Sequence, residues 1–242
     1  MAEDELIKKH TKAAYDALVD KERDWKHKAK DILLEIGIIV FAVTISIWLH
    51  NWSEDVKDQR AAKEFLQGLK GDIKADLSEM ENDRKFAKLG YQGILYFNKI
   101  GSGQQENNDS LKKYYWVFFS QTQINPRVGR YEALKSSGKM DIITNKKLQY
   151  DIINLYEKNF PQIFRTNQFN NTLIADKLLA FYSDNIQLDD KGAPVNDQEV
   201  FRKPKMRMLL LQAQGLHGTV VAYTQGIDMA NEIIKEIDAE LK

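Results

Sequence analysis

From residue 32 to residue 52 the chain reads ILLEIGIIVFAVTISIWLHNW, 21 residues whose only ionisable side chains are Glu35 near one end and His50 near the other. At about 1.5 Å per residue, a helix of that length covers roughly 30 Å, the thickness of a hydrocarbon core. The pattern predicts one transmembrane helix over 32–52. Its flanks suit the two interfaces: Trp48 and Trp52 stand where an aromatic belt lies, and Lys26, Lys28 and Lys30 stand at the opposite end as anchors. A soluble core helix is the competing reading, because the unbroken apolar run 36–49 is 14 residues long.

Beyond the span the pattern becomes periodic. Ala62, Leu66, Leu69, Ile73, Leu77, Met80, Ala87, Tyr91 and Ile94 follow a helical spacing with no Pro before residue 126. This predicts a long amphipathic helix, continuous with the span and ending at a polar loop over 101–109. At the C-terminus Leu209, Ala213, Leu216, Val220, Tyr223, Ile227, Ala230, Ile234, Ile237 and Leu241 alternate steps of four and three, a heptad pattern that Pro204 opens at its first turn. Two such seams need partners. They pack antiparallel within one chain, or the C-terminal heptads associate between chains as a coiled coil.

Shorter helices are predicted between them. Asp109 or Ser110 caps one reaching about residue 121, and its aromatic run Tyr114, Tyr115, Trp116, Phe118 and Phe119 reads as buried helix or as a partner-binding patch. A second begins near Val128 and closes at Gly138. A third is capped by Thr144 or Asn145 and buries Leu148, Ile152, Leu155 and Tyr156; Pro161 should kink or break it before it resumes through Ile174, Leu178 and Phe181. The polar stretch 183–202 is the longest irregular segment. The fold class is all-α, an elongated bundle, with residues 1–31 as an N-terminal cytoplasmic segment, 32–52 as the span and 53–242 as an extracytoplasmic helical domain.

Composition sharpens this in two places. Thirty-five Lys plus Arg balance 35 Asp plus Glu, so no overall field draws the chain to nucleic acid. Cys is absent, which removes disulfides, thiolate nucleophiles and thiolate metal sites. Local charge sets orientation: five Lys or Arg lie in 17–31 against three in 53–67, which predicts a cytoplasmic N-terminus. The 31 residues before the span are too long and too acidic for a signal-peptide n-region, so the segment reads as a retained anchor. Glu35, one turn from the basic flank, can reach the interface or pair with a lysine there, and Ala42 with Ser46 forms a small-x-x-x-small pair open to helix association.

Candidate chemistry is sparse. His10, His27, His50 and His217 are far apart and match no zinc spacing, and no Walker A, G-x-S-x-G, H-E-x-x-H or EF-hand pattern occurs. His217 falls beside the seam between Gly215 and Gly218, and Asp184, Asp189 and Asp190 read as a solvated turn. Asn51, Asn108 and Asn170 open glycosylation-type triplets, which are common by chance. No enzyme and no cofactor is expected.

Three stretches carry a resemblance: Asn51-Trp52-Ser53-Glu54, EFLQGLKGDIKADL over 64–77 and YEALKSSGKMDIITNKKLQYDIINLYEK over 131–158. Together they resemble a family of uncharacterised single-span envelope proteins common in Bacteroidota. This chain has Trp48 where that family carries a Gln near the outer end of its span. The resemblance implies a cytoplasmic membrane facing a periplasm, and it supplies no catalytic residues. The expected partners are the lipid bilayer and another envelope protein or a second copy. The expected role is a non-catalytic interaction or scaffold subunit; the alternative is a single-span sensor whose periplasmic bundle binds a small ligand.

Overall fold

A computed structural model describes residues 8–13, 15–16, 25–104, 112–119 and 121–242. The chain divides into two units, residues 1–61 and 62–242. The described residues are helical apart from turns, the irregular segment 121–128 and an isolated β-bridge, Leu188 with Pro194. The all-α class is therefore observed.

Helix α1 (Trp25–Gly101) contains both the apolar run and the first amphipathic seam. It ends as glycine permits: Gly103 takes a φ of +92°, Gln104 N–H donates to Lys99 O and Gly103 N–H donates to Ile100 O, the Schellman arrangement that satisfies the last carbonyls. In the second unit α2 (Gly129–Ser136) closes at Gly138, whose φ of +69° matches the predicted stop. Helix α3 (Lys146–Asn154) is capped by Asn145, whose side chain accepts from Leu148 N–H.

Pro161 causes no break in the rod that α3 begins. The rod continues as a π-helical turn (Leu155–Asn159), α4 (Phe160–Thr172), a second π segment (Leu173–Leu179) and α5 (Ala180–Asn185). A proline ring collides with the carbonyl four residues back, here that of Glu157, and the widened turn lies at that position. The 183–202 stretch is also more ordered than its composition implies, holding the β-bridge turn and α6 (Asp197–Arg202).

The C-terminal heptad helix is two helices, α7 (Pro204–Ala213) and α8 (Leu216–Glu240), parted at Gln214 and Gly215 by a tight turn. Gly215 and Gly218 weaken helix there, which the heptad count alone does not register. The buried face is also wider than a two-position seam, since Met206, Leu210, Thr219, Ala222, Gly226 and Ile233 are buried beside Leu209, Ala213, Leu216, Tyr223, Ile227, Ala230 and Ile237. That breadth suits a helix touching several neighbours rather than one coiled-coil partner.

Helices α7 and α8 run antiparallel to the second half of α1, as predicted. Lys70 pairs with Asp238, Tyr223 donates to Asp83, the Tyr91 ring meets His217 and the Asn98 amide donates to Leu210 O, so one index falls as the other rises. The seams are thus satisfied within one chain. Gly226 marks the tightest crossing: a Cβ there would lie 2.9 Å from Ile163 Cδ1 and 3.2 Å from Met80 Sδ, so α1, α4 and α8 converge on a position without a side chain.

Two apolar clusters result. One joins Leu66, Leu69, Ile73 and Met80 of α1 to Tyr131, α3, the start of α4 and α8; the other joins Ile94, Phe97 and Ile100 to the second π segment, α6 and α7. Between them, on α1, α4 and α8 alike, the inward positions turn polar at Asp83, Asn167, Asn170 and Thr219.

Candidate functional site

The apolar run presents its side chains outward. Leu33, Val40, Phe41, Ile47 and Trp48 are exposed, Trp48 at 63% and Trp52 at 59%, and none of its most hydrophobic 18-residue window is buried. A core helix of a soluble protein is mostly buried, and among the described residues this segment is not. Polar groups within the run close on themselves, Thr44 Oγ1 donating to Val40 O at 2.7 Å and Ser46 Oγ to Ala42 O at 2.9 Å. By length and composition this helix can cross a membrane. Lys30 is exposed, while the side chains of Lys26 and Lys28 lie outside the described residues. Glu35 meets His10 Nδ1 at 2.6 Å, where the sequence suggested a lysine.

The aromatic stretch is helical as expected but shorter and tighter: residues 112–114 are α-helical and run into a 3-10 turn, Tyr115–Phe118, which ends before residue 121. Its expected caps Asp109 and Ser110, and the Phe118 side chain, lie outside the described residues. Tyr114 packs on Tyr96 with ring centroids 5.3 Å apart, and Trp116 meets Phe86 edge-on at 6.1 Å. Tyr115 and Tyr182 both donate to Asp197, the latter at 2.6 Å, and their hydroxyls lie 2.8 Å apart. Burial, reinforced by the Asp197 carboxylate, pushes both phenols well above the ordinary tyrosine range, so they act as donors that lock α6 onto the rod. Phe119 alone of the described predicted patch points outward, at 72% exposure.

Two polar arrangements cross the core. Asp76, its side chain fully buried, accepts from Arg127 N–H at 3.1 Å and from Arg127 Nη1 at 2.6 Å, which ties the irregular 121–128 segment to α1. Burial raises its carboxyl above the usual value, and the Arg127 donors offset this only in part. In the polar layer the Asn167 amide donates to Tyr223 Oη at 2.7 Å and Tyr223 donates to Asp83 at 2.9 Å. The Asn170 amide donates to Thr219 Oγ1 at 2.9 Å, while its Oδ1 is buried without a donor. Neither Asp76 nor this layer was legible as a site, because a polar residue on an amphipathic helix shows its depth only once its neighbours are placed.

Among the grooves at the surface of the second unit, three are lined by described residues as follows. One, along α1 and α8, is lined by Arg84, Lys85, Lys88, Tyr91 and His217, and His217 is an exposed ring against Tyr91 at 5.2 Å. A second runs along Tyr115 and residues 193–199. The third, between α4 with its π extension and α7, is lined by Arg165, Gln168, Phe169, Thr172, Leu173, Lys177 and Gln212. Among the described residues no group of three or more His, Cys, Asp or Glu side chains converges as a metal site. The Asp189 carboxylate instead accepts Lys191 N–H and Ala193 N–H, holding its own turn.

These features define a helical-bundle protein whose described residues include one exposed apolar helix long enough for a membrane. The chain belongs to the family of unknown function DUF6090, whose model matches residues 35–185. No curated protein and no solved structure matches it. The matched region takes in most of the apolar run and ends with α5, so it omits α7 and α8, which complete both apolar clusters.

Proposed function

We propose that this protein is a membrane-anchored, non-catalytic interaction subunit of a bacterial envelope. In this reading the 32–52 helix sits in the inner membrane, the N-terminus is cytoplasmic and residues 53–242 occupy the periplasm. The observation that carries it is the outward-facing apolar surface of 32–52, whose most hydrophobic window has no buried position among the described residues. The Lys and Arg excess before the run supports the orientation. With both long seams used inside the chain, the surfaces left for a partner are the grooves and outlying aromatics of the second unit. Isolation of the full chain from membranes in mild detergent should bring a second envelope component with it at stoichiometric levels. Recovery of the chain alone at every expression level rejects the proposal.

The unbroken run of α1 from the apolar segment into the packed seam favours a second reading, a sensor in which ligand binding to the bundle shifts that helix. A metabolite that raises the melting temperature of the purified chain would support it over the scaffold.

A further inference from the structure

The groove along α1 and α8 gathers three cations within little more than one turn of α1, since Arg84, Lys85 and Lys88 all line it. Residues three and four apart on a helix have Cβ atoms about 5–6 Å from each other, so Lys88 is a direct neighbour of both Arg84 and Lys85. Like charges at that spacing destabilise a helix, a cost that an anion held between them removes. On the other wall stands His217 of α8, its ring against Tyr91 of α1 with centroids 5.2 Å apart. The lining contains no Asp or Glu, and every polar side chain in it can donate a hydrogen bond. Glu81 and Asp83 lie within a turn of the cations on α1, yet Asp83 accepts from the Tyr223 hydroxyl, and among the described residues none of the three cations is held in an ion pair.

Convergence of charge, rather than its mere presence, sets this groove apart. The groove along Tyr115 is lined by Asp197 and Glu199 as well as Lys112. In the groove beside Phe169 the cations Arg165 and Lys177 are about 18 Å apart along the helix, too far to meet one small anion. Three cations within a turn overmatch a single carboxylate. A phosphate group instead brings close to two negative charges and three acceptor oxygens. An arginine fork takes two such oxygens together, and ammonium groups add compact point charges. Arg84 is half-buried, so part of the freedom that ordering its fork would cost is already lost.

We propose that this groove binds a ligand bearing a phosphomonoester or diphosphate group, held by Arg84, Lys85 and Lys88 with His217 donating from the facing wall. The chemistry is the same whether that group belongs to a soluble phosphate ester or to a lipid headgroup. The site lies wholly within the second unit, goes beyond the interaction role proposed above and does not rest on it.

The test uses the full chain in neutral detergent and inorganic pyrophosphate, read by isothermal titration calorimetry. Pyrophosphate should bind saturably, and the double variant Arg84→Gln, Lys88→Gln should weaken it by about tenfold or more. The variant Arg165→Gln, Lys177→Gln removes the same net charge from a different groove and should stay within about twofold of the parent. His217→Ala should weaken binding by roughly threefold to tenfold, as for one lost hydrogen bond. Pyrophosphate should raise the melting temperature of the parent and not that of the Arg84, Lys88 variant, whose own melting near the parent's shows that it folds. Micelles doped with phosphatidic acid that displace pyrophosphate, where phosphatidylcholine does not, assign the phosphate to a lipid headgroup; no displacement by either assigns it to a soluble ester, and both results support the site. Absence of saturable binding overturns the proposal. Equal weakening by the two double variants overturns it as well, since the cations then act only as a diffuse field over a solvated face. Co-isolation of an envelope component is scored separately, so the groove and the scaffold role can fail independently.

Discussion

Residues 32–52 and 62–101 belong to the same helix and both are rich in large apolar side chains, yet their surfaces end in opposite places. In the first stretch apolar residues occur on every side, and Leu33, Phe41 and Trp48 face outward. In the second they form a stripe, and Leu66, Leu69, Ile73, Met80, Ile94 and Phe97 are at most 2% exposed. The difference is one of angular distribution rather than quantity. A stripe can be covered by α7 and α8 on one side while Lys, Glu and Asp face water on the other; a helix apolar all round offers water no side and requires a surrounding apolar medium.

The largest effect that could break this contrast is charge in the first stretch. Each arginine at the centre of a membrane helix costs about 3 kcal/mol, so Phe41→Arg with Ile45→Arg should move the chain from the carbonate-washed membrane pellet to the supernatant while leaving the melting of the second unit in place. The converse holds for the second stretch. Phe97, fully buried and stacked on Phe201 at 4.6 Å, should cost about 3–5 kcal/mol of unfolding free energy when changed to Ala, with membrane retention unaltered. If Phe97→Ala instead melts like the parent, the seam is not a core.

A smaller effect tests how closely that core is packed. Gly226→Leu pushes a side chain into Ile163 and Met80 and should destabilise by about 1–3 kcal/mol by denaturant titration. The smallest is a pH dependence at Asp76. Burial raises its folded-state carboxyl above 3.8, so the stability it contributes is complete below that value and is lost as pH rises through the folded value. Between about pH 3 and about pH 6 the melting temperature of the parent should therefore fall relative to Asp76→Asn. Asp141, Glu157 and Asp238, held low by lysine partners, act in the opposite sense but equally in both proteins. A difference that rises with pH would mean that Arg127 outweighs burial.

Several elements were legible because a local pattern suffices for them. Gly138 closes α2, Asn145 caps α3, Pro204 opens α7, and the spacing from Ala62 to Ile94 marks the face that α7 and α8 cover. The groove beside Phe169 was not legible, since Arg165 and Lys177 read as ordinary solvated charges and only the packed structure places Gln212 of α7 opposite them. The aromatic run misled in form for a related reason: Tyr114, Tyr115 and Trp116 pack on Tyr96, Tyr182 and Phe86, residues near and far in sequence, and those contacts favour a tight 3-10 turn over a longer helix.

Sequence alone determined which positions avoid water, because that depends on side-chain chemistry and on helical periods of three and four residues. It therefore determined the apolar run, the two seams and the helical class. Tertiary structure decided what covers each position and what each covering leaves open: the break at Gln214 and Gly215, the widened turn before Pro161, the burial of Asp76 against Arg127, and the groove that Phe169 shares with Gln212. These depend on distances between residues far apart in the chain, and such distances exist only once the helices have packed.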